Sequence, residues 1–226
     1  MLKITDANNF RRTVVGLCLI AGTLVTLIGG LVTPWEENDT TAAYLQSLAE
    51  NPTRAQIHAI LIYFGFLLTA VGTLGILHLL RHRAVVLGHV AGVLAVWGWV
   101  TFPGLLISDF YDLSLAQWSN RQAAIAISDR AEGYVGSAVM GIPVLFGVIG
   151  LVLLGVALWR ARLAPLWVPI LLVLAIAIGF FGPPTVVFFT TGEALSLVAL
   201  GYVGLKILRM SDEVWARPAS KVGEVK

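Results

Sequence analysis

The segment 56–108 contains two long apolar runs separated by the basic triplet Arg81-His82-Arg83. Each run has roughly the 20 apolar residues that a helix needs to cross the hydrocarbon core of a bilayer. The triplet between them is too costly to bury in hydrocarbon, so it predicts a turn at the membrane surface. We therefore interpret this segment as a transmembrane hairpin whose basic turn lies in the cytoplasm.

The composition of the whole chain agrees with a lipid environment. Of its 226 residues, 58% are hydrophobic and 12% are charged, against about half and about a quarter in an average soluble domain. The formal charge of +2 is too small to indicate a nucleic-acid partner, and the only cysteine, Cys18, excludes an intrachain disulfide. We expect membrane lipid, other membrane subunits, or both, as the partners.

The apolar runs predict an all-α, polytopic membrane protein with six transmembrane helices. We expect these helices at residues 13–32, 52–80, 85–107, 133–159, 166–181 and 185–208. The polar segments 36–55 and 108–132 each predict a short amphipathic surface helix, near residues 40–50 and 121–127. Residues 1–210 would then form a six-helix domain, and residues 211–226 a polar cytoplasmic tail.

The distribution of basic residues predicts the orientation. In the six-helix arrangement, all fifteen Lys and Arg residues except Arg54, Arg121 and Arg130 fall on one side. Basic residues in short loops mark the cytoplasmic side of a membrane protein. We therefore expect both termini in the cytoplasm.

Two local features carry a resemblance to known proteins. The second outer segment ends in D-R-A-E at residues 129–132, and the inner turns are short and arginine-rich, as in R-A-R at 160–162. In this layout the chain resembles the uncharacterised six-helix integral membrane proteins of high-GC Gram-positive bacteria. The resemblance covers most of the chain and implies no activity. We expect a multi-pass protein of a bacterial cytoplasmic membrane.

Glu193 is the leading candidate for a functional residue, because an ionisable group inside a bilayer is costly. A last helix that begins at Thr185 places this carboxylate about 12 Å below the outer surface, at 1.5 Å of rise per residue. There it would bind substrate, a cation or a proton in a cavity. The alternative is that residues 182–191 form a longer outer loop, which would leave Glu193 near water.

Trp97 and Trp99 lie in the middle of the third predicted helix, away from the membrane interfaces where tryptophan is common. With Phe102, Phe64 and Tyr63 they would line an apolar pocket for a lipid or an isoprenoid. The alternative is that both are packing residues whose indole N–H donates to a carbonyl oxygen.

His58 lies near the outer end of the second predicted helix, where it would meet Asp109, Asp112 and Glu132. A histidine beside carboxylates suits a general acid–base pair or a zinc site. These four residues are therefore the candidate catalytic residues. The alternative is that the carboxylates cap helices or pair with nearby arginines.

His78 and His89 flank the first inner turn at similar depth. Two histidines that face each other would ligate a haem or a metal ion. No third ligand is evident, and histidines close to a membrane surface commonly reach water or donate to a carbonyl oxygen. We predict no cofactor, with a haem or metal ion at these histidines as the alternative.

These residues define three classes of function. The one we favour is a non-enzymatic carrier, or an accessory subunit of a membrane complex, with Glu193 as the binding group. The second is a membrane-embedded enzyme that acts on a lipid or isoprenoid near the outer leaflet through His58 and the carboxylates. The third is a haem-binding electron carrier. The sequence contains no phosphate loop, nucleotide-binding fingerprint or serine nucleophile motif.

Overall fold

The structure is a computed structural model that describes residues 6–35 and 40–216. Within these ranges all regular elements are helices and no strand is formed, which confirms the all-α prediction. The helices are α1 (Ala7–Val32), α2 (Thr41–Glu50), α3 (Pro52–Leu80), α4 (Val85–Leu105), α5 (Ser108–Ala116), α6 (Arg121–Glu132), α7 (Val135–Arg160), α8 (Trp167–Gly179), α9 (Val186–Leu208) and α10 (Asp212–Ala216).

Five helical stretches of the described chain are long and apolar enough to cross a membrane. They are Ala7–Val32, Pro52–Leu80, Val85–Ala116, Val135–Arg160 and Val186–Leu208. The stretch predicted as a further span contains α8, which has only 13 residues. That length corresponds to about 20 Å, against about 30 Å for a hydrocarbon core. These helices are compatible with a multi-pass integral membrane protein.

The six longest helices pack into a closed ring. Helix α1 contacts α3 and α9, α4 contacts α3 and α7, and α8 contacts α7 and α9. Glycines permit the close approaches: a Cβ on Gly150 of α7 would lie 2.2 Å from the backbone nitrogen of Ala95 in α4. Lipid tails are as apolar as the side chains, so the hydrophobic effect does not drive membrane helices together. Small residues instead let the helix backbones approach closely and pack.

One end of the ring, here termed the basic end, holds the arginine-rich turns and the start of α1. The Arg83 Nη1 atom of the turn before α4 donates to the Ala161 carbonyl of the turn before α8, at 3.3 Å. Each turn contains a residue with left-handed backbone, Ala84 at φ 51° and Arg162 at φ 58°. The two basic turns therefore lie side by side, as expected if they share one membrane surface.

Helix α10 also packs at the basic end. Its Trp215 is 2% exposed and belongs to the main hydrophobic core, and the Arg81 Nη2 atom donates to the Ala216 carbonyl at 3.1 Å. Residues 212–216, which the sequence predicts as part of a polar tail, thus pack against the bundle. The rest of that predicted tail, 217–226, lies outside the described residues.

The opposite end of the ring is covered by α2, α5 and α6, here termed the cap. These three helices share a small hydrophobic core with the start of α3, formed by Leu45, Leu48, Ala55, Leu113, Ala116 and Ala124. The Thr41 hydroxyl donates to Asp129 Oδ1 at 2.5 Å and joins α2 to α6. Short helices were predicted near α2 and α6, whereas no separate helix was predicted at α5, which lies in the polar segment 108–132.

Candidate functional site

A cavity of about 210 Å³ lies inside the ring and is bounded by α3, α4, α7, α8 and α9. We term it the central cavity. Its wall is mostly apolar, and the polar side chains that line it are the Glu193 carboxylate and the Ser196 hydroxyl. The aromatic residues of the wall are Phe66, Trp99, Phe102, Phe180 and Phe189.

The position of Glu193 follows from the sequence of α9. The helix α9 contributes Phe189, Glu193 and Ser196 to the cavity wall. These residues are four and three positions apart, so they share one helix face. Just before Glu193, Gly192 lets α8 approach closely: a Cβ on Gly192 would lie 2.6 Å from the Cα atom of Gly179. The residue that carries the carboxylate is thus adjacent to a close contact between α8 and α9.

Glu193 belongs to the helix, not to an outer loop, because α9 begins at Val186. At 1.5 Å per residue it lies about 11 Å along the helix axis from that start. Within the described chain, no hydrogen bond or ion pair reaches its carboxylate. A carboxylate in apolar surroundings is costly unless it is neutralised. The site is therefore suited to hold a proton or a cation at Glu193.

The two candidate tryptophans lie on different sides of α4. Trp99 lines the central cavity and stacks on Phe66, with ring centroids 5.2 Å apart. Its Nε1 atom is buried and has no hydrogen-bond partner among the described residues. Trp97 is 51% exposed on the outside of the ring, as is Phe64 at 55%. Residues two positions apart point in nearly opposite directions on a helix, so only Trp99 reaches the cavity.

A second cavity, of about 240 Å³, lies between the ring and the cap, and we term it the cap cavity. Its wall combines the segment after α1 with residues of α2, α3, α4, α5 and α9. The residues that line it are Thr33, Pro34, Trp35, Tyr44, Leu48, Ala55, His58, Ile62, Phe102, Leu106, Asp109 and Phe189. Of the four candidate catalytic residues, His58 and Asp109 thus line one cavity.

His58 is held by the end of α1. Its Nδ1 atom lies 2.6 Å from the Thr33 hydroxyl oxygen and 3.1 Å from the Gly29 carbonyl oxygen. The Thr33 hydroxyl itself donates to the Gly29 carbonyl at 3.1 Å. A proton on Nδ1 satisfies this network and leaves Nε2 as an acceptor. The end of α1 therefore holds the ring at the wall of the cap cavity.

The other carboxylates predicted beside His58 do not line this cavity. Asp112 lies one turn beyond Asp109 on α5, and Glu132 is exposed at the end of α6. Arg121 of α6 donates to the Ala116 carbonyl at 3.0 Å and to Gln46 Oε1 at 3.0 Å, and to no carboxylate of the described chain. Within the described residues Asp109 takes part in no ion pair.

Phe102 and Phe189 line both cavities and therefore lie between them. Phe102 packs edge to face on Phe66, with ring centroids 4.5 Å apart. Phe189 packs on Trp35 at 5.9 Å and against Gly30, where an added Cβ would lie 2.5 Å from the Phe189 ring. The boundary between the cap cavity and the central cavity therefore includes both phenylalanine residues.

The histidines at the basic end have unlike surroundings. His78 stacks on Trp215 at 4.8 Å, and its Nε2 atom is buried without a hydrogen-bond partner in the described chain. His89 is exposed, and its Nδ1 atom lies 2.7 Å from the Val85 carbonyl of its own helix. Among residues 6–35 and 40–216, no group of three or more His, Cys, Asp or Glu side chains is placed to hold a metal ion.

Three aromatic residues of the central cavity were not predicted from the sequence: Phe66, Phe180 and Phe189. Phe189 lies one helical turn before Glu193, so the helical spacing alone would have identified it. Phe66 carries no such signal, because its place in the wall depends on how α3 packs against α4. No protein family model matches the chain, and no curated protein or solved structure is significantly similar to it.

Proposed function

We propose that the chain is a small membrane carrier in which Glu193 binds the transported cation and exchanges it for a proton. The observation that supports this proposal is the Glu193 carboxylate, which lines an apolar cavity inside the ring and has no counter-ion among the described residues. A proton and a cation would compete for this one group. Such competition is the simplest basis for coupled exchange.

The proposal includes six membrane crossings, with α8 as the short one. Arg12 near the start of α1 contacts Asp212 of α10, with Nε 2.9 Å from Oδ1, so the chain between them starts and finishes at the same end of the ring. An even number of crossings is consistent with that contact. The positive-inside rule would place the basic end, and both termini, in the cytoplasm of a bacterial cell.

The helices that would move are α4 and α7. Each contains an internal proline, Pro103 and Pro143 respectively, and a proline inside a helix removes one backbone hydrogen bond and permits a bend. They contact each other through Gly98 and Gly147, where a Cβ on Gly98 would lie 2.3 Å from the Gly147 Cα atom. Bending at these prolines would change access to the central cavity from the two sides of the membrane.

Proton flux in liposomes tests the carrier proposal. Purified protein is reconstituted into vesicles that have an acidic interior and contain a pH-sensitive dye, and Na⁺, K⁺ or tetraethylammonium is added outside. We expect at least one cation to cause proton efflux. Glu193→Gln should reduce that efflux at least tenfold, because the amide keeps the shape of the side chain but binds neither partner.

Glu50→Gln is the matched control, since Glu50 is an exposed carboxylate at the end of α2 and lines neither cavity. This variant should retain the full efflux. Efflux that persists in Glu193→Gln, or the lack of any cation-dependent efflux in the wild type, would overturn the carrier proposal. The second result would favour the alternative of an accessory subunit in a larger membrane complex.

A second candidate function is an enzyme that acts on a lipid or isoprenoid at the cap cavity. The observation that favours it is that His58 and Asp109 line one cavity, where a neutral histidine would act as a base. Incubation with lipid vesicles followed by mass spectrometry tests it. An enzyme of this kind should convert a lipid, and His58→Ala should abolish the product while Glu193→Gln leaves it unchanged.

A further inference from the structure

We infer that the cation of this carrier is a small organic ammonium ion, which enters through the cap cavity and passes between Phe102 and Phe189 to reach Glu193. This inference rests on the proposed function and names its substrate class and its route. It is drawn from the chemistry of the two cavity walls and from the residues that they share.

The central cavity has the composition of a site for an organic cation. Five aromatic residues and one carboxylate line it. Aromatic rings attract ammonium groups through their negative faces, and the carboxylate supplies the counter-charge. A hard metal cation needs about six oxygen ligands, whereas the side chains here supply only the carboxylate of Glu193 and the hydroxyl of Ser196. An ammonium ion with apolar substituents is the better match.

The volume of the cavity limits the size of the ligand. At about 210 Å³, it is smaller than the roughly 300–1,000 Å³ of pockets that hold drug-sized molecules. It is many times the roughly 10–15 Å³ that one water molecule requires. An ion of the size of tetramethylammonium or tetraethylammonium is therefore the appropriate probe.

The cap cavity repeats the same chemistry. Its wall contains one carboxylate, Asp109, together with Trp35, Tyr44 and the two shared phenylalanines, and it adds the imidazole of His58. Asp109, like Glu193, takes part in no ion pair among the described residues. Two adjoining cavities with one carboxylate each and aromatic walls are suited to receive the same cation in succession. Asp109 would bind it first and Glu193 second.

Phe102 and Phe189 would be the barrier between these two positions. Both rings lie at the boundary, and each packs on a further aromatic ring, Phe66 or Trp35. Aromatic faces on the barrier would also stabilise an ammonium ion while it passes. Truncation of Phe189 to alanine should therefore open the boundary and speed entry.

The experiment measures the binding and the transport of tetraethylammonium by the full-length protein. This quaternary ion has no neutral form, so it cannot cross the lipid by losing a proton. Binding of radiolabelled tetraethylammonium is followed in detergent, and its exchange for protons is followed in liposomes beside Na⁺ and K⁺. We expect tetraethylammonium to bind and exchange, with Na⁺ and K⁺ at least tenfold less effective, and Glu193→Gln to abolish both signals.

Three variants test the route. Phe189→Ala should raise the association rate of tetraethylammonium at least fivefold, while Phe188→Ala, its neighbour on α9 outside both cavity walls, should leave the rate unchanged. Asp109→Asn should lower the association rate and leave bound tetraethylammonium at Glu193. The elution volume of each variant in gel filtration confirms that it is folded, and Phe189→Leu replaces Phe189→Ala if the latter aggregates.

The possible failures are distinguishable. If Na⁺ or K⁺ supports Glu193-dependent exchange and tetraethylammonium does not, the substrate class is wrong and the carrier proposal stands. If no cation supports exchange, or if exchange is unchanged in Glu193→Gln, the proposed function itself is wrong. If tetraethylammonium exchanges normally but neither Phe189→Ala nor Asp109→Asn changes its association rate, the route through the cap cavity is wrong.

Discussion

Arg12 and Asp212 lie 200 positions apart in the sequence, and their side chains form an ion pair with Nε 2.9 Å from Oδ1. The Arg12 guanidinium also donates to the carbonyl oxygens of Ile207 and Leu208 at the end of α9. A cation at a helix C-terminus is favourable, because the last carbonyl groups there carry partial negative charge. One arginine thus holds α1, α9 and α10 together at the basic end.

Removal of the Asp212 charge should destabilise the fold. The side chain of Arg12 is 10% exposed and that of Asp212 is 34% exposed, so the pair is intermediate between a surface and a buried ion pair. We expect Asp212→Asn to cost about 1–3 kcal/mol. The thermal unfolding midpoint in detergent measures this cost. Glu132→Gln, which removes an exposed carboxylate, should not change the midpoint, and an equal shift in both variants would contradict the role of the pair.

Labelling of single cysteines should place both ends of the described chain on one side of the membrane. In a Cys18→Ala background, Ala7→Cys and Ala216→Cys introduce exposed thiols at the basic end, and Ser119→Cys introduces one in the cap. In sealed cells an impermeant maleimide should label only the thiol at position 119. Labelling of positions 7 and 216 from opposite sides would exclude six crossings, because it requires an odd number.

The contact between α4 and α7 should be sensitive to a single methyl group. In Gly150→Ala the new Cβ would lie 2.2 Å from the backbone nitrogen of Ala95, and backbone cannot move aside cheaply. We expect a loss of about 1–3 kcal/mol, as for overpacked cores. Gly141 lies in the same helix with nothing within 4 Å of an added Cβ, so Gly141→Ala should cost no stability. Thermal unfolding in detergent compares the two variants.

Quenching by brominated lipid should distinguish the two tryptophans of α4. Trp97 is 51% exposed on the outside of the ring, whereas Trp99 packs in the core. In vesicles of brominated lipid, Trp97→Phe should lower the quenchable share of the total tryptophan fluorescence, and Trp99→Phe should not lower it. The reverse result would mean that α4 is rotated about its axis relative to this structure.

Much of the helical pattern was predictable because it depends on local properties of the chain. Helix α3 has the predicted bounds, since Pro52 suits the first turn of a helix and the basic turn at 81–84 ends it. The predicted span over 166–181 was too long: α8 begins at Trp167 and ends at Gly179. The segment Gly182-Pro183-Pro184 that follows cannot continue a helix. Helix α1 begins at Ala7, six residues before the predicted start, because the Asp6 side chain caps it.

The candidate site was predictable in part. Glu193 and the pair of His58 and Asp109 could be named because an ionisable group near a bilayer stands out in an apolar sequence. The different positions of Asp112 and Glu132 could not be foreseen, because they depend on α5 and α6 folding back over the ring as the cap. The position of Phe102 and Phe189 at the boundary of the two cavities likewise depends on how the helices pack in the tertiary structure.

The sequence by itself determined an all-helical chain, the positions of its long apolar helices and the basic residues of its turns. These follow from hydropathy and charge, which act over short stretches of chain. Only the tertiary structure decided that Trp99 and not Trp97 faces the central cavity, and that Phe102 and Phe189 lie at the boundary between this cavity and the one under the cap. The reason is that glycine contacts between helices set how each helix is rotated, and those contacts join residues far apart in the sequence.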